Sequence, residues 1–362
     1  MSAGKVFFIG GLRELELLMR FLQREFNGAK LYGYKLQNGN VVFGELASVS
    51  DLPLGVVDEQ KPGYYRLLQG FRFRHCMDSP KRFLLPPEHL LVTISSSYDV
   101  IKVEDDVEPV ILFGIKPCDL KAIEILDRII YGRNPVYTKR RDSVKAVVVE
   151  ECLEPGETCF CAAVNSGPTA SRGFDIAYAR LRQDLFIFRY GSPLGEKILS
   201  RIGLREASEE HVKKYLELVD KARALMMARI PPIKDIGELL RKRASDKKFW
   251  EDESMNCVGC GNCNYVCPTC FCIEIDDRVE GNVSRRVAIW AGCRTYTYGL
   301  VAGGHFRRDL YTRYRHFILH KFVFYPIQVG DVGCVGCGRC ITWCPMGIDM
   351  RDTLKHLTEV RG

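Results

Sequence analysis

The sequence predicts two parts of different class: an α/β or α+β amino-terminal domain over residues 1–232 and a mainly helical carboxyl-terminal domain over residues 233–362. Three observations carry this. Strand and helix signals alternate as far as Cys152; a long helical pattern, SEEHVKKYLELVDKARALMMARI, stops at Pro231 and Pro232; and beyond it one cysteine-rich run occurs twice, from Cys257 and from Cys334.

The elements follow in order. RELELLMRFLQREF, from Arg13, repeats apolar residues at helical spacing, and YKLQNGNVVFGEL reads as a hairpin turning at Asn38 and Gly39. EPVILFGI is an apolar strand, DLKAIEILDRII an amphipathic helix opening at Asp119, and VKAVVVEEC a second apolar strand. The long helix begins on a Ser/Glu cap signal, and the charged stretch KDIGELLRKRASDKKFW after the prolines reads as a solvated helix face.

Composition narrows the function classes. A chain of 362 residues with 46% hydrophobic and 27% charged residues has enough apolar material for two cores, and disorder is not expected. The net charge of +7 is spread among interleaved acids, which argues against nucleic acid and for basic patches facing acidic protein partners. MSAGKVFFIGG lacks signal-peptide anatomy, and no apolar run is long enough to span a bilayer. The expectation is a cytoplasmic protein without membrane contact. In that compartment eight disulfides from sixteen cysteines are not expected, which leaves metal ligation or burial as small apolar groups.

CVGCGNCNYVCP and CVGCGRCITWCP each follow C-x2-C-x2-C-x3-C-P, the run of two-cluster ferredoxins. Gly259, Gly261, Gly336 and Gly338 let the backbone curl around a cube of iron and sulfide, and the fourth cysteine reaches the other cube. Cys257, Cys260, Cys263 and Cys344 are therefore expected to hold one [4Fe-4S] cluster, and Cys334, Cys337, Cys340 and Cys267 a second. A pair of zinc sites is the alternative, although zinc knuckles place their cysteine pairs farther apart. In the insert, Arg307, Arg308, Arg313, Arg315, His316, His320 and Lys321 form a basic stripe. It is either a solvated face or a set of cations that compensates the clusters or docks an acidic partner.

The two apolar strands give a further expectation. If they are parallel neighbours, Cys118 and Cys152 leave the sheet at one carboxyl edge, where the helix start favours a Cys118 thiolate. LEPGE then returns Cys159 and Cys161, whose side chains share a face if TCFC is extended. These four cysteines form a candidate third iron–sulfur site, with zinc or simple burial as alternatives and Asp119 as a helix cap. A second TCFC holds Cys270 and Cys272; with Cys293 they read as packing beside a cluster, and Cys76 has no role that the pattern defines.

The double CVGCGxC motif, GIKPCDLKAI, ETCFC and RYRHFILHK resemble the beta subunits of cytoplasmic nickel–iron sulfhydrogenases. They are similar also to the A subunit of anaerobic sulfite reductase, of the same broader family. The resemblance spans most of the chain and implies an electron-transfer subunit in a hetero-oligomer. The implied partners are a flavoprotein subunit that binds NAD(P)H and the small and large hydrogenase subunits; in the sulfite reductase setting, the partner is a sirohaem subunit. No G-x-G-x-x-G or Walker loop is present, and no catalytic base or nucleophile stands out. Reduction of sulfur or polysulfide by the chain itself is the enzymatic alternative.

Overall fold

The structure is a computed structural model that describes residues 6–102 and 107–359; the first five residues of MSAGKVFFIGG lie outside it. An eight-stranded mixed sheet organises the amino-terminal part. Across it run Arg205–Glu206, Phe8–Gly10, Leu185–Tyr190, Ile176–Arg182, Val144–Glu151, Val110–Ile115, Lys30–Gln37 and Asn40–Leu46. The last two form the hairpin at Asn38 and Gly39, both in the left-handed region with φ 50° and 75°, as such a tight turn requires.

The strands from EPVILFGI and VKAVVVEEC are parallel neighbours at the centre of the sheet. Their alternate side chains feed two cores. Leu112, Ile115, Val147 and Val149 go to one face, and Ile111, Phe113, Ala146 and Val148 to the other. Burying each such Val, Ile, Leu or Phe side chain contributes about 1.5–3 kcal/mol. Near the end of the first strand the register shifts between Phe113 and Ile115, with Gly114 at φ 68°. This bulge bends the strand just before helix Pro117–Ile130, which carries Cys118 in its first turn.

Asp119 caps that helix by accepting from the Lys116 amide at 3.3 Å. Helix Glu209–Met227 starts on Ser208, whose hydroxyl accepts from the His211 amide. After Pro231 and Pro232 come helices Ile233–Arg243 and Lys247–Ser254. The stretch read as a solvated face is solvated on one side only, since Ile236, Leu240, Phe249 and Trp250 enter a core with Phe317, Ile318 and Phe322.

The carboxyl-terminal part is less helical than its sequence led us to expect. IEIDDRVEGNVSRRVAIW folds into strands Ile273–Glu280 and Val283–Trp290, turning at Gly281 with φ 59°. The second of these pairs with Glu88–Ser95, so one antiparallel sheet is shared between sequence on either side of the prolines. Ile273, Ile275 and Val279 alternate with polar residues, and the Gly-Asn pair that follows supplies the turn.

Arg339, in the second cysteine run, also joins the two parts. Its guanidinium donates to Asp119 at 2.8 Å, to the Tyr34 hydroxyl at 2.7 Å and to the Cys76 carbonyl at 2.9 Å. Tyr34 completes the triangle with a short bond to Asp119. Arg339 and Asp119 are wholly buried, so removing one partner strands the other charge in a dry site. Arg339→Met should destabilise the fold by about 3–5 kcal/mol. Urea unfolding followed by circular dichroism checks this, and Asp119→Leu in the same chain should recover part of the loss.

Candidate metal centre

The two cysteine runs have the same backbone. Gly259 and Gly261 stand at φ 69° and 80°, Gly336 and Gly338 at 59° and 78°. Each run then closes in one turn of helix, Asn262–Tyr265 and Arg339–Thr342. Positive φ at paired positions folds a short loop back on itself so that its thiols face inward. In the second run there is no room for a side chain. A Cβ on Gly336 would lie 2.6 Å from the Phe160 carbonyl carbon, and one on Gly338 would lie 2.4 Å from the Thr158 hydroxyl.

Each loop's fourth cysteine lies near the other loop. Cys257, Cys260, Cys263 and Cys344 line one cavity, which Cys340 of the second run also reaches and which Arg294, Tyr314, Phe317 and Ile348 close. Cys267 stands within electrostatic reach of Cys334, Cys337 and Cys340. Backbone amides address the sulfurs from within the loops: Gly259 donates to Cys257 at 3.3 Å, Gly336 to Cys334 at 3.4 Å and Ile348 to Cys344 at 3.4 Å.

Two buried cations also address them. Arg294 donates to the Cys257 sulfur at 2.7 Å, and Lys321 Nζ lies 3.2 Å from the Cys267 sulfur. The basic stripe thus divides. Lys321 and Arg313 turn inward, Arg313 bracing the Arg294 carbonyl at 2.9 Å, while Arg308 is exposed. The Cys270 thiol donates to Cys267, and this bond, against burial and with Lys321, holds Cys267 well below the ordinary thiol range. Burial pushes Cys263 and Cys334 up to about 12. Thiols so raised keep their protons at neutral pH unless a metal displaces them.

Cys118, Cys152, Cys159 and Cys161 also come together. Cys161 is in electrostatic reach of Cys159, Cys152 and Cys337, and Cys118 of Cys337 and Cys161. Cys118, Cys159 and Cys161 pack in one buried cluster with Val335 and Cys337. The route differs from the extended TCFC expected. Cys159 and Phe160 have no regular structure and Cys161 opens a 3-10 turn, because the Phe160 amide bonds to the Gly336 carbonyl at 2.7 Å. The helix start does not yield a Cys118 thiolate either: burial and the Asp119 charge raise its pKa well above the ordinary value. Arg229 bonds the Gly156 carbonyl at 2.6 Å and also the Cys159 carbonyl, a cation that sequence pattern alone did not indicate.

None of the sixteen cysteines is in a disulfide, and among the described residues no three His, Cys, Asp or Glu side chains stand ready to hold a single metal ion. Loops with paired glycine conformations, fourth cysteines near the other loop and inward amides fit a larger anionic group such as an iron–sulfide cube. Among the described residues no helix is long and apolar enough to cross a membrane.

Comparison with known proteins agrees with this chemistry. Residues 256–348 match the family described as a 4Fe-4S dicluster domain. The chain is 31% identical over 352 residues to sulfhydrogenase 2 subunit beta of Pyrococcus furiosus, covering 96% of each chain.

Two outcomes follow from the geometry. Gly336→Ala forces a methyl into the Phe160 backbone and should remove one cube's worth of iron and sulfide, measurable by colorimetric assay. Lys321→Met withdraws a cation that stabilises the more negative, reduced state of a cluster on Cys267. The potential of that cluster should fall by on the order of 60 mV, a tenfold change in a one-electron equilibrium, in an EPR-monitored redox titration.

Proposed function

The chain belongs to the family of sulfhydrogenase beta subunits and is an iron–sulfur electron-transfer subunit, and from that premise we propose how its thiols and partners are arranged. Cys257, Cys260, Cys263 and Cys344 hold one [4Fe-4S] cluster, and Cys334, Cys337, Cys340 and Cys267 hold a second. Cys118, Cys152, Cys159 and Cys161 hold a third iron–sulfur cluster. When bound, such clusters accept and pass single electrons.

The observation that carries the relay is a continuous run of thiols. Cys263 of the first set is in electrostatic reach of Cys340 of the second, and Cys337 of the second is in reach of Cys118 and Cys161 of the third. The chain's own residues bury the sets, supply amides and place Arg294, Lys321 and Arg229 beside them. These are the means by which a protein sets potential and excludes water.

The chain works in a hetero-oligomer, between a flavoprotein subunit that binds NAD(P)H and the small and large subunits of a nickel–iron hydrogenase. The relative's description as a sulfhydrogenase subunit supports this setting. Residues 1–232 would then form the part that carries the third cluster, and residues 233–362 the dicluster part.

Metal analysis and co-purification test the proposal. Iron and acid-labile sulfide in equal amounts, with nickel–iron and flavin subunits in the isolated complex, are expected. Zinc without sulfide would remove the cluster assignment, and a sirohaem subunit would move the chain to a sulfite reductase. Replacing Cys118 and Cys159 with serine should lower bound iron by one cluster's worth; unchanged iron would remove the third site.

A further inference from the structure

Three cysteines remain beyond those twelve and Cys76, and they converge. Cys270 and Cys272 follow the first run directly, and the hairpin Ile273–Trp290 brings Cys293 back to them. Its base is closed by the Ala291 amide, which donates to the Cys272 carbonyl at 2.9 Å. Asn264 then binds two of the sulfurs with one nitrogen, at 3.2 Å to Cys293 and 3.6 Å to Cys270. The Arg294 amide donates to the Asn264 carbonyl oxygen at 3.2 Å and fixes which end of the amide faces the sulfurs. Cys272 is in electrostatic reach of Cys293, so the second TCFC gathers thiols much as the first does.

The surrounding charge gives an independent reason to expect anionic sulfur here. Lys81 and Lys321 are both 3% exposed. Lys321 meets the Cys267 and Cys270 sulfurs, the Thr269 hydroxyl and the Gly333 carbonyl. Lys81 donates to the Tyr265 carbonyl at 3.1 Å, lies 3.8 Å over the Trp290 ring and is in electrostatic reach of Cys270, Cys267 and Cys272. None of these partners is a carboxylate. A buried ammonium is costly unless an anion faces it. Cys267 answers Lys321, and Cys270 and Cys272, once a metal displaces their protons, are the sulfurs placed to answer Lys81.

We propose that Cys270, Cys272 and Cys293 bind a further iron–sulfur cluster through three thiolates, beside the first two clusters, with Lys81 as its buried counter-charge. The inference rests on the iron–sulfur reading of this chain, so its test separates the two. The anaerobically purified complex is treated with iodoacetamide while native, and the alkylated positions are mapped by mass spectrometry. Cys270 and Cys272 are half-exposed, so free thiols there would react. They should instead stay unmodified until a chelator and denaturant strip the iron. Labelling of both in the native complex, with the ferredoxin-run cysteines still protected, would overturn this site alone; a complex without iron would overturn the broader reading. The variant with Cys272→Ser and Cys293→Ser should lose one cluster's worth of iron and sulfide and keep the EPR signals of the ferredoxin pair. Wild-type iron content in it would also overturn the site, and if the variant does not fold the labelling result decides.

Discussion

The fold depends on a buried ion pair that holds two distant segments together. Arg339 lies in the second cysteine run and Asp119 in the first turn of the helix carrying Cys118, and both are wholly buried. Neither can sit there without the other, because an unpaired charge in that environment costs several kcal/mol. The pair fixes the second run against the carboxyl edge of the eight-stranded sheet. It does so where Gly336 and Gly338 already touch the Thr158–Cys161 segment so closely that a methyl group cannot enter. Cys337 and Cys161 are neighbours because Arg339 and Asp119 are partners.

That arrangement underlies the proposal that one chain holds clusters on two unlike scaffolds. The ferredoxin runs supply tight loops that nearly enclose a cube. The sheet supplies an edge at which a helix start, a strand end and a returning loop each present thiols. Burial alone favours protonated thiols at both, as the raised values of Cys152 and Cys334 show. Cations and amides placed against the sulfurs offset that preference and favour a bound anionic cluster. The proposed relay needs this proximity, and the buried pair provides it.

Much of this was legible in the sequence, for reasons that can be named. The strand periods of VILFGI and VKAVVV and the helix between them placed Cys118 and Cys152 at one edge, because parallel neighbours leave the sheet on the same side. The repeated run, with its glycines and prolines, is the source of the expectation that Cys267 and Cys344 are exchanged, and the structure places Cys344 beside the first run and Cys267 beside the second. The hairpin Ile273–Trp290 was less legible, because Asp277 and Arg285 interrupt its alternation and its first strand buries almost nothing. Long-range partners were not legible at all. Arg339 reads as one more surface charge until Asp119, 220 positions away in sequence, is seen beside it. The two TCFC segments illustrate the same limit: local letters are identical, and what each thiol meets is set by segments far off in the chain.

The central claim is that the clusters form one connected relay. EPR of the reduced, anaerobically purified protein tests it most directly, because paramagnetic clusters in adjoining cages broaden and split one another's signals. The account predicts a reduced spectrum that integrates to more than one spin and shows such interaction. A reduced protein with only an isolated, unperturbed cluster signal, or with no cluster signal at all, would contradict it.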